Sequence, residues 1–218
     1  MPILLYCVAA ADPPVNGLLT GVARVPVLRL KRQALTAFAS ESATAEVWMT
    51  RPLSEASLEF HHVLKELFRS TAIIPFRFPT ILANVQELNE HLDERRRDYS
   101  SLLERFKSSV QLEALVTDSP ATHDERPAVS GTEYLRTKQK RADSLERLVC
   151  ELQIAAGEAA KQWRTRIIQS GVRCCALVER ELVTSVRRAV ENVQVPDGFK
   201  LRVSGPWPAT EFLELSQL

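Results

Sequence analysis

Glycine is scarce in this 218-residue chain, which has only seven glycines. The sequence contains no GxGxxG motif, no Walker A loop, no nucleophile elbow and no HExxH helix, and each of these absences removes a familiar class of enzyme. Glycine-rich loops hold phosphates because their backbone can approach the ligand closely. The sequence therefore predicts no catalytic residue, no cofactor and no small-molecule substrate.

The chain also lacks an excess of charge of one sign and any long apolar run. It has 28 basic and 27 acidic residues, so no overall field attracts nucleic acid or an anionic membrane. The apolar segment 1–11 is ended by Asp12, is too short to span a bilayer and has no basic residue before it. We expect a cytoplasmic protein that binds neither nucleic acid nor a membrane.

Clusters of metal-ligating residues are missing as well. The cysteines never form a CxxC pair, and they are scattered as Cys7, Cys150, Cys174 and Cys175. His61 and His62 are adjacent, so on a helix their imidazoles diverge and cannot share a metal without other ligands. These patterns favour free thiols in a reducing compartment and no metal site.

The first half of the chain has an α+β pattern. An apolar, strand-like segment covers residues 3–8, and apolar residues three and four apart predict a helix from Leu53 to Arg69. A strand-like segment at 72–78 and a second helical stripe at 85–106 follow. We assign residues 1–107 to an N-terminal α+β domain.

The second half contains the strongest helical pattern in the sequence. A loop at 117–131, rich in polar residues and proline, comes first. After it, a stripe that contains Leu145, Leu152, Ala159 and Trp163 and extends to Ile167 predicts one helix at 132–169, about 57 Å long. Such a helix must pack against another helix or form an intermolecular coiled coil, and the sequence leaves both possibilities open.

The other elements of this half complete an α/β arrangement. Strand-like segments at 110–116, 172–178 and 199–203 are separated by the long helix and by a helix at 181–192. This order of strand, helix, strand, helix, strand is typical of a ferredoxin-like domain with its helices on one face of the sheet. We assign it to residues 108–218.

One short segment, Ser204-Gly205-Pro206-Trp207-Pro208, follows the last strand. Two prolines restrict the backbone on either side of Trp207, and Gly205 permits a turn that other residues resist. The indole at this rigid corner either closes the end of a core or serves as a preorganised docking residue, because aromatic anchors on stiff backbones bind partners well.

The sequence resembles the gas vesicle protein GvpL/GvpF family over nearly its whole length. The points of likeness, in order, are the first strand with Tyr6, Phe60-His61-His62-Val63-Leu64, Ile73-Ile74-Pro75-Phe76-Arg77-Phe78-Pro79-Thr80, Gly131-Thr132-Glu133-Tyr134-Leu135, Ala176-Leu177-Val178-Glu179-Arg180 and Ser204-Gly205-Pro206-Trp207-Pro208 before Phe212. The GxxYL and GPWP elements in this order are the specific ones.

The resemblance implies a non-enzymatic, accessory or minor structural protein of gas vesicle assembly. It also implies an N-terminal α+β domain and a modified ferredoxin-like domain with extra helices. The expected partners are the small apolar shell protein GvpA and other accessory Gvp proteins, and the expected location is the cytoplasm or the gas vesicle. We expect a monomer or weak self-association.

The sequence suggests one surface for this binding. Our hypothesis places the contact with the shell protein on the face carrying Leu145, Leu152 and Trp163, together with Trp207. Two alternatives remain at this point: a ligand-binding or enzymatic ferredoxin-like domain, and a structural protein that self-associates through a coiled coil.

Overall fold

The computed structural model describes residues 1–14, 17–119 and 130–213. The chain is of the α+β class and forms two compact units. One comprises Met1–Ser108 together with Phe212 and Leu213, and the other comprises Ser109–Glu211. Residues 120–129 of the predicted loop, with His123, lie outside the described residues, and Thr117 and Asp118 belong to a strand rather than to a loop.

The first unit is built around a central, fully buried strand. The described strands are β1 (Ile3–Ala10), β2 (Leu28–Arg32), β3 (Leu35–Glu41), β4 (Ile73–Pro75) and β5 (Ile81–Leu82). They pair antiparallel in the order β2-β3-β1-β4, with β5 also on β1. Residues 3–9 of β1 are all buried, which explains the continuous apolar run, since a strand covered on both faces cannot alternate.

Three helices belong to this unit: α1 (Glu46–Met49), α2 (Leu53–Ser70) and α3 (Val85–Phe106). The buried residues of α2 are Ala56, Phe60, Val63, Leu67 and Phe68. Their spacing is the helical period, so one stripe faces the core. Asn84 caps α3 by accepting a hydrogen bond from the Glu87 amide at 3.0 Å. The predicted helices at 53–69 and 85–106 are confirmed.

The second unit has the element order βαββαβ. The elements are β6 (Ser109–Asp118), α4 (Gly131–Ala156), β7 (Ala160–Ile168), β8 (Gly171–Glu179), α5 (Val183–Glu191) and β9 (Phe199–Trp207). The sheet is antiparallel in the order β7-β8-β6-β9. Ser130 caps α4 by accepting a hydrogen bond from the Glu133 amide at 3.2 Å, the first half of a capping box.

The predicted single helix at 132–169 is wrong. The helix ends at Ala156, where Gly157 adopts φ 57°, and residues 160–168 form β7. Ala159, Trp163 and Ile167 misled the prediction because a spacing of four fits the helical repeat and also the two-residue repeat of a strand. Because α4 ends at Ala156, residues 160–168 cannot take part in the intermolecular coiled coil that the sequence left open.

Two further boundaries differ from the sequence prediction. The second unit ends at Glu211 rather than at residue 218, and Phe212 and Leu213 are buried. The last strand continues past residue 203 to Trp207, so Trp207 is the final residue of β9 rather than part of a loop after it. Pro206 is accommodated there because β9 is an edge strand.

Candidate protein-interaction surface

Trp207 lies at the end of the edge strand β9 with a half-exposed indole. Its side chain is 41% exposed, and its Nε1 donates a hydrogen bond to the Ser204 hydroxyl at 3.2 Å. Gly205 has φ 117°, and a Cβ there would lie 2.7 Å from the Gln111 carbonyl oxygen. The guanidinium of Arg187 donates to the Gly205 carbonyl. The backbone before Trp207 is therefore fixed on both sides.

Trp163 lies on β7, opposite Ala176 of β8. Its Nε1 donates to the Thr165 hydroxyl at 3.1 Å. The half-buried ring borders a small apolar crevice that is also lined by Val186 and Val190 of α5. Trp163 thus belongs partly to the core and partly to the surface.

Leu145 and Leu152 lie on α4 but differ in environment. Leu145 is half-buried, whereas Leu152 is completely buried with Leu148 and Ala156. The expectation that Leu152 forms part of a docking face is wrong, because the apolar stripe at this end of α4 packs into the core. All residues from 131 to 143 are exposed instead.

The four predicted residues do not form one continuous patch. Trp163 and Trp207 lie on β7 and β9, the two opposite edges of the sheet, with β8 and β6 between them. Three strand spacings correspond to about 14 Å. Any contact that uses both tryptophans must therefore extend across the width of the sheet.

The sequence analysis missed two exposed isoleucines in this unit. Ile154 on α4 is 70% exposed and Ile167 on β7 is 88% exposed. Ile167 lies four residues after Trp163 and therefore fitted the stripe of the predicted long helix. Ile154 lies outside that stripe, and its place on the helix could have indicated from the sequence that it faces solvent.

The sheet face that carries Glu113, Cys175 and Arg173 contains a cluster of charged groups. Arg166 Nε lies 3.2 Å from a carboxylate oxygen of Glu211, and a guanidinium nitrogen of Arg173 lies 3.7 Å from the other. Arg164 donates to the Glu211 carbonyl, and Arg173 Nε lies 3.6 Å from Glu113. Two of the three guanidinium groups thus contact the two carboxylates and the third contacts a backbone carbonyl, so the cluster carries one more positive than negative charge.

Two cysteine thiols of the second unit are buried. Burial raises the pKa of the Cys174 thiol to about 11 and that of Cys175 to about 12, so both thiols are protonated at neutral pH and are poor nucleophiles and ligands. Among the described residues, no three His, Cys, Asp or Glu side chains converge as a metal site would require. Within those residues no helix is both long and apolar enough to cross a bilayer.

Tyr6 organises the polar interior of the first unit. Its hydroxyl accepts a hydrogen bond from the Val22 amide at 2.9 Å and lies 3.0 Å from the Ser40 hydroxyl. Ser40 in turn donates to the Pro26 carbonyl at 3.0 Å. The Tyr6 ring stacks on Phe60, with the ring centroids 4.8 Å apart. Burial raises the pKa of Tyr6, which keeps the hydroxyl protonated as the donor to Ser40.

Replacing Tyr6 with phenylalanine is expected to lower the free energy of unfolding by about 1–3 kcal/mol, because the buried Val22 amide loses its acceptor. Urea denaturation of the full chain measures the change. Tyr134→Phe is the matched control, because Tyr134 is half-exposed, and it should alter stability by less than about 0.5 kcal/mol. Equal stability of the two variants would contradict the hydrogen-bond chain.

A half-exposed tryptophan held rigidly at a sheet edge is a feature of surfaces that bind other proteins. The family model "Gas vesicle synthesis protein GvpL/GvpF" matches residues 2–214. The chain belongs to this family. Its resemblance to the family, inferred above from the motifs, is confirmed.

Solved structures support the same fold. The crystal structure of the gas vesicle protein GvpF from Anabaena sp. PCC7120 superposes with a TM-score of 0.75 at 14% sequence identity, covering 97% of this chain and 95% of that chain. The structure of GvpF from Microcystis aeruginosa gives 0.73 at 15% identity, covering 97% and 98%. No curated protein matches the sequence.

Proposed function

We propose that this protein is a cytoplasmic accessory component of gas vesicle assembly that acts by binding other proteins and catalyses no reaction. Membership of the gas vesicle synthesis family supports the assembly role. The protonated, buried thiols and the lack of a converging ligand set among the described residues support a binding role over a catalytic one. The proposed partners are the shell protein GvpA and other accessory Gvp proteins.

The proposed contact surface includes Trp207, with Trp163 and Leu145 as further candidates. The observation that carries this proposal is the 41% exposed indole of Trp207 on a backbone fixed by Gly205 and Ser204. A large aromatic group held in place loses little entropy on binding, which is why tryptophan is frequent among residues that dominate binding energy. The apolar face of a shell subunit must be covered until the subunit is assembled, and an exposed indole can cover part of it.

We also propose that the second unit is a ferredoxin-like domain. The order βαββαβ and the strand order β7-β8-β6-β9 support this assignment, because the fold requires exactly this alternation with antiparallel neighbours. The strand β7, absent from the sequence prediction, completes the pattern. In this arrangement β7 and β9 are the two edge strands of the sheet.

A pull-down with tagged GvpA tests the proposed function. Wild type should be retained, and Trp207→Ala should weaken retention by at least tenfold, the effect expected of a residue that dominates an interface. The matched control is Tyr134→Ala, a half-exposed aromatic residue on α4, which should bind like wild type. Circular dichroism establishes that the variants are folded.

Two results would contradict this proposal in different ways. If wild type does not retain GvpA or any accessory Gvp protein, the assembly role through direct binding is wrong. If wild type binds and a folded Trp207→Ala binds equally well, the role stands and Trp207 is not part of the contact.

A further inference from the structure

The strand β7 is one of the two edge strands of the second sheet. It contains nine residues, pairs only with β8 among the described strands, and has neither proline nor glycine. The opposite edge strand, β9, also has nine residues, and the pairing of each edge strand has one register shift. β9 differs because it contains Gly205 and Pro206, and proline has no backbone N–H to donate to an added strand. Edge strands with free backbone N–H and C=O groups can accept a further strand.

The edge strand of the first unit is less suited to this. β2 has five residues, and its basic side chains are already engaged. Lys31 pairs with Asp12, Arg32 pairs with Asp93 at 2.6 Å, and Arg29 lies over the Phe38 ring. These contacts hold the side chains of β2 in place.

The side chains of β7 form two different rims. Trp163, Thr165 and Ile167 face the side of the sheet that carries Ala176, Cys174 and Val172, their partners on β8. Ile167 is 88% exposed there, although it is a large apolar residue in a regular strand. An apolar side chain of a partner that covered Ile167 would remove apolar surface from water and so stabilise the complex.

The other rim of β7 is basic. Arg164 and Arg166 lie opposite Cys175 and Arg173 of β8. As described above, Arg166 and Arg173 lie near the Glu211 carboxylate, Arg173 also lies near Glu113, and Arg164 donates to the Glu211 backbone carbonyl. Three guanidinium groups therefore accompany two carboxylates here. Carboxylates of a partner would offset the excess positive charge of this rim.

We propose that β7 accepts an extended segment of a partner protein as a fifth strand of this sheet, and that apolar and acidic residues alternate in that segment. Backbone hydrogen bonds to β7 would hold the segment. Its apolar side chains would cover Ile167 and Trp163, and its carboxylates would contact Arg164 and Arg166. Strand addition of this kind combines backbone affinity with side-chain specificity at alternate positions. This proposal uses only residues at the β7 edge, so it does not depend on whether Trp207 at the β9 edge binds a partner.

A second copy of this chain fits the edge poorly. In an antiparallel β7–β7 pair centred on Arg164, Thr165 or Arg166, an arginine of one strand lies opposite an arginine of the other. Like charges directly opposite each other across strands are destabilising. The charges therefore favour an acidic partner over self-association.

Peptide binding to the full-length protein tests this proposal. The probe is an eight-residue peptide in which valine and glutamate alternate, and the control peptide alternates valine and lysine. Amide hydrogen exchange of the protein is measured with and without each peptide. With the glutamate peptide, exchange within residues 160–168 should slow at least fivefold, and with the lysine peptide it should be unchanged.

Two variants locate the binding. Ile167→Lys places a charge on the apolar rim and should remove the protection, and because Ile167 is 88% exposed the variant should fold normally. Ile154→Lys is the matched control, since Ile154 is a similarly exposed isoleucine on α4, and it should leave the protection intact.

Several outcomes would overturn the proposal. These are protection by both peptides, protection outside residues 160–168 alone, and protection that survives in Ile167→Lys. Protection of β7 without peptide, accompanied by a dimer in analytical ultracentrifugation, would mean that a second copy occupies the edge and would also count against it.

Discussion

Leu152→Ala is expected to lower the free energy of unfolding by about 2–5 kcal/mol, as for other large-to-small changes in a close-packed core. The reason is that Leu152 is completely buried, in one stripe with Leu148 and Ala156. The transition midpoint and its slope in urea measure the change. A loss of partner binding in this variant would report loss of the fold rather than loss of a contact.

The control for this prediction lies two residues further along the same helix. Ile154 is 70% exposed, so Ile154→Ala removes a similar aliphatic side chain without opening a cavity. It should change stability by less than about 0.5 kcal/mol. If Leu152→Ala were as stable as Ile154→Ala, the packing of α4 described here would be wrong and Leu152 would be a surface residue.

Gly171→Ala is expected to be at least as damaging, with a loss of about 3 kcal/mol or more. Gly171 begins β8 with φ 147°, and a Cβ would lie 2.0 Å from the backbone oxygen of Val116. The neighbour is backbone in the central strand β6, which cannot move aside as a flexible side chain could. Backbone strain and overpacking each cost about 1–3 kcal/mol, and thermal or urea denaturation measures their sum.

Gly131→Ala is the matched control for this variant. Gly131 is the first residue of α4, is exposed, and has no atom within 4 Å of an added Cβ. Alanine favours the helix over glycine, so the variant should be unchanged or up to about 1 kcal/mol more stable. If Gly171→Ala and Gly131→Ala behaved alike, the close approach of Gly171 to β6 would be refuted.

The fold tolerates wide sequence change. The two solved GvpF structures share 14–15% of residues with this chain and still superpose over most of its length. Cores keep their structure when volume and apolar pattern are retained. We expect less tolerance at positions such as Gly171, where backbone geometry rather than side-chain volume limits which residue fits.

The sequence was most informative where a local repeat is unambiguous. The helices α2 and α3 were predicted within a residue because their apolar stripes repeat over four turns or more. The strands β6 and β8 extend only one or two residues beyond the predicted segments. Family membership also came from the sequence, because GxxYL and GPWP occur in the right order across the chain.

The candidate surface could be predicted only in part. Trp207 was singled out from its glycine and proline neighbours, and the structure places it half-exposed. Leu152 was predicted to lie on a docking face, but it is buried in the core. An apolar stripe indicates that a helix packs against something, but it does not show which part of the stripe packs inside the same unit. Ile167 was missed because its spacing fitted the wrong repeat.

By itself, therefore, the sequence determined the family, the α+β class and the elements with a clear local period. Only the tertiary structure decided that residues 160–168 form a strand, that Leu152 is core, and that Trp163 and Trp207 occupy opposite edges of one sheet. The physical reason is that strand pairing and burial depend on partners distant in the chain. A four-residue spacing is compatible with both a helix and a strand until those partners are in place.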